Sequence, residues 1–246
     1  MDRVTGGKVA IVTGASGAGL GRSIALTLAR EGASVVVNYR SDRERAEDVV
    51  DAIERRGGQA FAVAADVFEQ EGCRTLVDAA LARFGRVDIC IVDPGGGWHP
   101  EPVAELDAAG ALEDLNREVA PLFYLMPLVL PGMVERRWGR LVAVGVHPTK
   151  LPPAYAYNVA KAARAQALLL AQDQLWGHGI TVNVVAPGPF GPIASLEEAV
   201  EQCDHGAAWR ERGDVSPQDI AEGVAFLCSD AGRFVTGCTL PYLFRW

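Results

Sequence analysis

Short runs of β-branched and apolar residues recur along this chain and alternate with longer stretches whose apolar residues fall three or four apart. The first kind reads as strands buried on both faces, the second as amphipathic helices. Strands are expected at 9–12, 33–38, 60–64, 87–92, 141–146 and 180–185, with a short last one near 238–243. A first helix carries Ile24 and Leu28, and a second carries Ala46, Val49, Val50 and Ile53 on its apolar face. Others are expected over about 70–84, 112–135, 155–176 and 217–228, with a helical piece near 196–202. Ser41 and Glu44 read as a capping box for the second helix, and Gly57-Gly58 as its end. Ser216 and Pro217 read as the cap and first residue of the last helix. Strand and helix alternate almost without interruption, which calls for a doubly wound parallel sheet with helices on both faces. No repeat or low-complexity linker divides the sequence, so one α/β domain is expected over residues 1–246.

Ligands of such sheets bind outside the carboxyl ends of the strands, and the residues expected there carry chemistry. After the first strand comes a glycine-rich turn that includes Gly14, Ser16, Gly17, Gly19, Leu20 and Gly21. A strand, such a turn and a helix form a Rossmann-like dinucleotide entry, where a pyrophosphate sits at the positive helix N-terminus. At the end of the second strand an acid would accept from a ribose 2′-hydroxyl and select NAD. Here Arg40 and Ser41 stand in its place, and the first acid is Asp42. Arg40 suits a 2′-phosphate, with Ser41 adding a hydrogen bond, so NADP is expected over NAD. Tyr157 and Lys161 are four apart, one turn along the same helix face. An ammonium beside a phenol lowers the phenol pKa from about 10, which would make Tyr157 an acid or base near neutral pH.

The net charge of −8 and the pI near 5.1 leave no basic footprint for nucleic acid or an anionic membrane. Five scattered cysteines without a Cys-x-x-Cys pair point to reduced thiols in a cytoplasmic protein, and no metal site is expected. The N-terminus shows no signal-peptide pattern, and the most apolar stretch, 119–131, holds Pro121 and Pro127 and is too short to span a bilayer.

Taken together, several positions resemble the short-chain dehydrogenase/reductase family, nearly end to end. The glycine turn is similar to the family's Thr-Gly-x-x-x-Gly-x-Gly with one extra residue, and Tyr157-Asn-Val-Ala-Lys161 to its Tyr-x-x-x-Lys. Asp66-Val67 matches the adenine-contacting pair, Pro187-Gly188 the turn beside the nicotinamide, and Phe234 to Gly237 the C-terminal region. The resemblance implies an NADP(H)-dependent oxidoreductase acting on the ketone/alcohol pair of a small, largely apolar molecule. Tyr157 would be the acid/base and Lys161 would also hold the nicotinamide ribose. It implies a homo-oligomer as well, a dimer or a tetramer built on the two long helices. The apolar circumference of Phe123, Tyr124, Leu125, Leu128, Val129 and Leu130 agrees with that, and the apolar end from Tyr242 to Trp246 is expected to pack at an interface or pocket.

Departures from the family pattern cluster at the chemistry. Relatives carry Asn-Asn-Ala-Gly where this chain reads Val92-Asp93-Pro94-Gly95, and their relay asparagine aligns with Glu118. The serine that holds the substrate carbonyl falls near Val146, and no serine lies between Ser41 and Ser195. Pro192 replaces a nicotinamide-holding threonine. His147 or Thr149 would substitute for the serine, and His99 would line the substrate pocket. Glu118 would pair with Lys161 and shield it from Tyr157, or act as a carboxylate base itself. Two other functions follow from the departures: proton chemistry without redox, using Tyr157, Glu118 or His147, or a non-catalytic partner subunit. Residues 190–215 read as the substrate lid, and Trp98, Trp209, Pro152 and Pro153 as part of an apolar pocket.

Overall fold

The structure, a computed structural model, describes residues 5–95, 101–147, 154–188, 190, 191, 193–206 and 214–242. His99, Trp98, Thr149, Pro152, Pro153, Pro192, Trp209 and the end beyond Tyr242 lie outside the described residues.

Seven strands form one sheet: β1 (Val9–Val12), β2 (Ser34–Tyr39), β3 (Gln59–Ala64), β4 (Ile89–Val92), β5 (Gly139–Val144), β6 (Ile180–Pro187) and β7 (Cys238–Tyr242). Their order is β3-β2-β1-β4-β5-β6-β7, and every pairing is parallel, as the alternation of strand and helix requires. Successive residues of β1 feed opposite faces: Ala10 and Val12 pack on one side, Val9 and Ile11 on the other. The first face is covered by α1 (Leu20–Arg30), α2 (Arg43–Arg55), α7 (Leu196–His205) and α8 (Pro217–Cys228). The second is covered by α3 (Gln70–Phe84), α4 (Ala108–Arg136) and α5 (Tyr155–Leu169), and α6 (Gln172–Leu175) follows α5. Long and apolar enough to cross a membrane, α4 instead lies between α3 and α5 with Leu122, Leu125, Val129 and Met133 buried.

Several expected boundaries move. The cap of α2 is Asp42, not Ser41, because the Asp42 carboxylate accepts the Arg45 N–H at 3.1 Å. α4 starts earlier than residue 112, at Ala108, where the Asp107 carboxylate accepts the Ala109 N–H. The helix expected over 155–176 ends at Leu169 and resumes as α6 and a 3-10 turn, Trp176–His178. β5 covers 139–144 rather than 141–146, yet Gly145 and His147 stay bonded to β6 through Val185 and Pro187. The expected cap at Ser216 is present as a full capping box with Asp219.

Candidate active site

Parallel pairing brings the ends of β1 to β6 to one edge, and side-chain bonds fix the backbone there. Thr13 Oγ1 donates to the Ile91 carbonyl at 2.9 Å and accepts the Asp93 N–H at 3.0 Å, joining the ends of β1 and β4. Buried Asn38 accepts the Gly14 N–H at 3.3 Å and donates to the Ala65 carbonyl at 3.0 Å, joining β1, β2 and β3. Gly14 holds φ +65°, a left-handed turn that favours glycine. A side chain at Gly21 would meet the Gly14 carbonyl oxygen at 2.6 Å, so only glycine lets α1 start this close to the turn.

Between these strand ends opens a cleft of about 460 Å³. Of the residues expected to hold a dinucleotide, Gly14, Ser16, Arg40, Ser41, Asp66, Val67 and Gly95 line it. Gly19, Leu20 and Gly21 are not in its lining: Gly19 caps α1, the Leu20 side chain is buried in the core, and Gly21 packs on Gly14. Pro187 and Gly188 stand at the end of β6, where the Gly188 N–H donates to the Tyr242 carbonyl at 3.0 Å. The cleft also contains Asn38, Phe68 and Arg117, which the sequence reading did not single out. The Arg40 guanidinium lies 6.0 Å from the Phe68 ring centre. Asp42 lines the cleft as well, with its carboxylate 3.2 Å from the Arg45 guanidinium.

The cleft fits an anionic nucleotide. Asp42, Asp107, Ser195 and Ser216 cap their helices with side chains, whereas α1 starts at Gly19 with no side-chain cap and no acid in its first turn. With the Gly21 N–H given to Asp93, the remaining N–H groups of that turn are the donors a phosphate would take.

Beside the cleft lies a second, buried group, and Gly95 joins the two. A Cβ on Gly95 would run into the Glu118 carboxylate, so this glycine is what lets the acid reach the strand edge. Glu118 is 1% exposed; its Oε1 is 3.2 Å from Lys161 Nζ and its Oε2 is 2.8 Å from an Arg164 nitrogen. The ion pair expected between Glu118 and Lys161 is therefore formed. Arg164, fully buried, was not singled out from the sequence. Its Nε donates to the Glu118 carbonyl at 2.9 Å, and its Nη1 to the carbonyls of Asp93 at 2.8 Å and Val144 at 3.1 Å. Its Nη2 also donates to the Pro94 carbonyl. A signal for it was present: Ala160, Lys161, Arg164 and Leu168 form one buried stripe of α5, three and four apart.

Burial acts first on Asp93, Lys161 and Tyr157. It pushes the Asp93 carboxyl up, against the pull of Lys161 and Arg164 and of a hydrogen bond from the Gly21 N–H. It pulls Lys161 down, with Arg164 adding to the effect and Glu118 and Asp93 opposing it. Tyr157 is pushed up by burial, then by Glu118, with Arg164 opposing. The expectation that Lys161 lowers the Tyr157 pKa is thus corrected. The ammonium is 5.6 Å from the centre of the Tyr157 ring, but its charge is answered by Glu118. His147 is half-buried, with its backbone N–H on the Pro187 carbonyl at 3.0 Å.

Comparison with known proteins agrees with this geometry. A family profile described as Enoyl-(Acyl carrier protein) reductase matches residues 14–242. The 7alpha-hydroxysteroid dehydrogenase of Escherichia coli (strain K12) is 34% identical over 238 residues, covering 94% of this chain and 91% of that protein. A 3-oxoacyl-(acyl-carrier-protein) reductase of Staphylococcus epidermidis is 31% identical over 240 residues, covering 95% of this chain and 96% of that one. Among solved structures, a 7 alpha-hydroxysteroid dehydrogenase complexed with NADH and 7-oxo glycochenodeoxycholic acid superimposes with a TM-score of 0.84 at 32% identity, covering 99% of this chain and 97% of that one. A dehydrogenase/reductase from Sinorhizobium meliloti 1021 gives 0.80 at 32% identity, over 98% and 95% of the two chains.

Proposed function

Because the chain belongs to the short-chain dehydrogenase/reductase family of oxidoreductases, we propose that it moves hydride between NADP(H) and the ketone/alcohol pair of a small, largely apolar molecule. The observation that supports this reading is the pair Tyr157 and Lys161, one turn apart on α5, with Lys161 linked through Glu118 to Gly95 of the cleft.

Each of the chain's own groups has a part. The first turn of α1, with Gly14, Ser16, Gly19, Leu20 and Gly21, receives the pyrophosphate. Asp66 and Val67 line the adenine end, and Gly95, Pro187 and Gly188 flank the nicotinamide. Arg40 and Ser41 take the 2′-phosphate. Supporting NADP, the acid next to them, Asp42, is committed to capping α2 and pairing with Arg45. Lys161 holds the ribose, and Tyr157 gives its proton to the substrate oxygen. When bound, the reduced dinucleotide supplies the hydride. Val146 brings no hydroxyl to the carbonyl, and one missing oxyanion donor costs a few kcal/mol in the transition state, on the order of 3.

The non-redox alternative would draw on Glu118 as a base, but its carboxylate is shared between Lys161 and Arg164. The segment 190–215 serves as the substrate lid, tethered where Phe190 bridges Val215. Phe123, 60% exposed on α4, is part of the face through which two or four copies of this cytoplasmic protein associate.

Consumption of NADPH with a panel of apolar ketones tests the proposal. Turnover is expected from the wild type, with a loss of about a hundredfold or more in Tyr157→Phe. Equal rates would move the chemistry off Tyr157. A chain that is active only alongside a homologue would favour the partner-subunit reading.

A further inference from the structure

The Glu118–Arg164 pair lies at the centre of the site and lines no part of the nucleotide cleft. We propose that Glu118 and Arg164 are a matched positioning pair: Arg164 fixes the Glu118 carboxylate, Glu118 takes the Lys161 ammonium, and Tyr157 is left as a proton donor. This deepens the reductase reading and rests on it, since it assigns the residues that set the protonation of Tyr157. With the reduced dinucleotide bound to supply hydride to the carbonyl carbon, the Tyr157 O–H bond would break as the substrate O–H bond forms, and the phenolate left behind would take a proton back from solvent.

The geometry restricts each member. Arg164 spends its donors on carbonyls at the ends of β4 and β5 and on α4, so the guanidinium plane is fixed from three elements. Its Nη2 stands 2.8 Å from Glu118 Oε2 as an ion-pair contact. Gly95 packs against the same carboxylate, nearest to Oε1, and Oε1 is 3.2 Å from Lys161 Nζ. The described charges around Tyr157 are Lys161 and Arg164 on α5, Glu118 on α4 and Asp93 after β4. Glu118 lies against both Lys161 and Arg164, so neither cation is left to a phenolate alone. An asparagine at position 118, as the family pattern has it, would leave the Lys161 charge uncompensated and available to the phenolate.

Titration of Tyr157 by NMR tests this without substrate or cofactor. The five tyrosines are labelled at Cζ, and the Tyr157 signal is the one missing from Tyr157→Phe. In the wild type it is expected to titrate above the ordinary value of about 10. In Glu118→Gln it is expected to move down by about one unit or more, a change that a purely structural role would not produce. If Glu118→Gln does not fold, Glu118→Gln with Arg164→Met replaces it, with a smaller downward shift expected. A wild-type signal titrating at or below the ordinary value, or no downward shift in the folded variant, overturns the proposal. Absence of carbonyl reduction by the wild type would remove the reductase reading and leave the titration result intact.

Discussion

Glu118 and Arg164 hold opposite charges 2.8 Å apart at positions that are 1% and 0% exposed, so neither can be removed alone without stranding the other. Breaking a buried pair from one side costs about 3–5 kcal/mol, whereas replacing both members by neutral groups is far less harmful. Arg164→Met is therefore expected to lower the unfolding free energy by about that amount, and Glu118→Gln in addition to recover much of it. Urea unfolding of the single and double variants measures this, and simple additivity would deny the coupling. Arginine at position 164 was hard to find in the sequence because a lone arginine on a helix normally reads as a solvated side chain. What marks it is its place on the stripe of Ala160, Lys161 and Leu168. That Tyr157 and Lys161 share one helix was legible from their four-residue spacing. The pairing of Glu118 with Lys161 was expected, but the burial that raises Tyr157 first, and the arrival of Asp93 from the end of β4, were not.

At the scale of elements, strand positions were readable because β-branched runs buried on both faces leave little room for another structure. Helix ends were harder. Asp42 displaced Ser41 as the cap of α2, and α5 stops at Leu169 although its alanine and leucine pattern runs on. The start of α1 carries the functional meaning. Gly19 has extended backbone, with φ −95°, and open space where a side chain would point. Gly19→Asp is thus expected to leave the free protein's stability within about 1 kcal/mol of wild type, since an N-cap acid suits a helix. The same carboxylate would repel a pyrophosphate and weaken NADPH binding by about tenfold or more. Thermal melts with and without NADPH separate the two effects. Unweakened binding would mean that the phosphate sits elsewhere.

Over the whole molecule, burial sets how the fold answers to pH. Cys73, Cys90 and Cys228 are pushed up to about 12 by desolvation, as is the Tyr242 phenol. In the unfolded chain thiols ionise near 8.5 and phenols near 10. Between those values and about 12 the folded state keeps protons that the unfolded state has lost, so stability falls as pH rises. The contribution is complete below about pH 8.5 and declines by about 1.4 kcal/mol per pH unit for each thiol above it. Urea midpoints across that range check the slope, and a flat profile would contradict closed cores on both faces of the sheet.

The account depends most on a nucleotide seated between the glycine turn and Arg40, and a fluorescence titration with NADPH and NADH addresses it directly. Saturable NADPH binding is predicted below about 1 mM, with NADH at least about tenfold weaker and Arg40→Ala removing the difference. No binding of either nucleotide at millimolar concentration would contradict it.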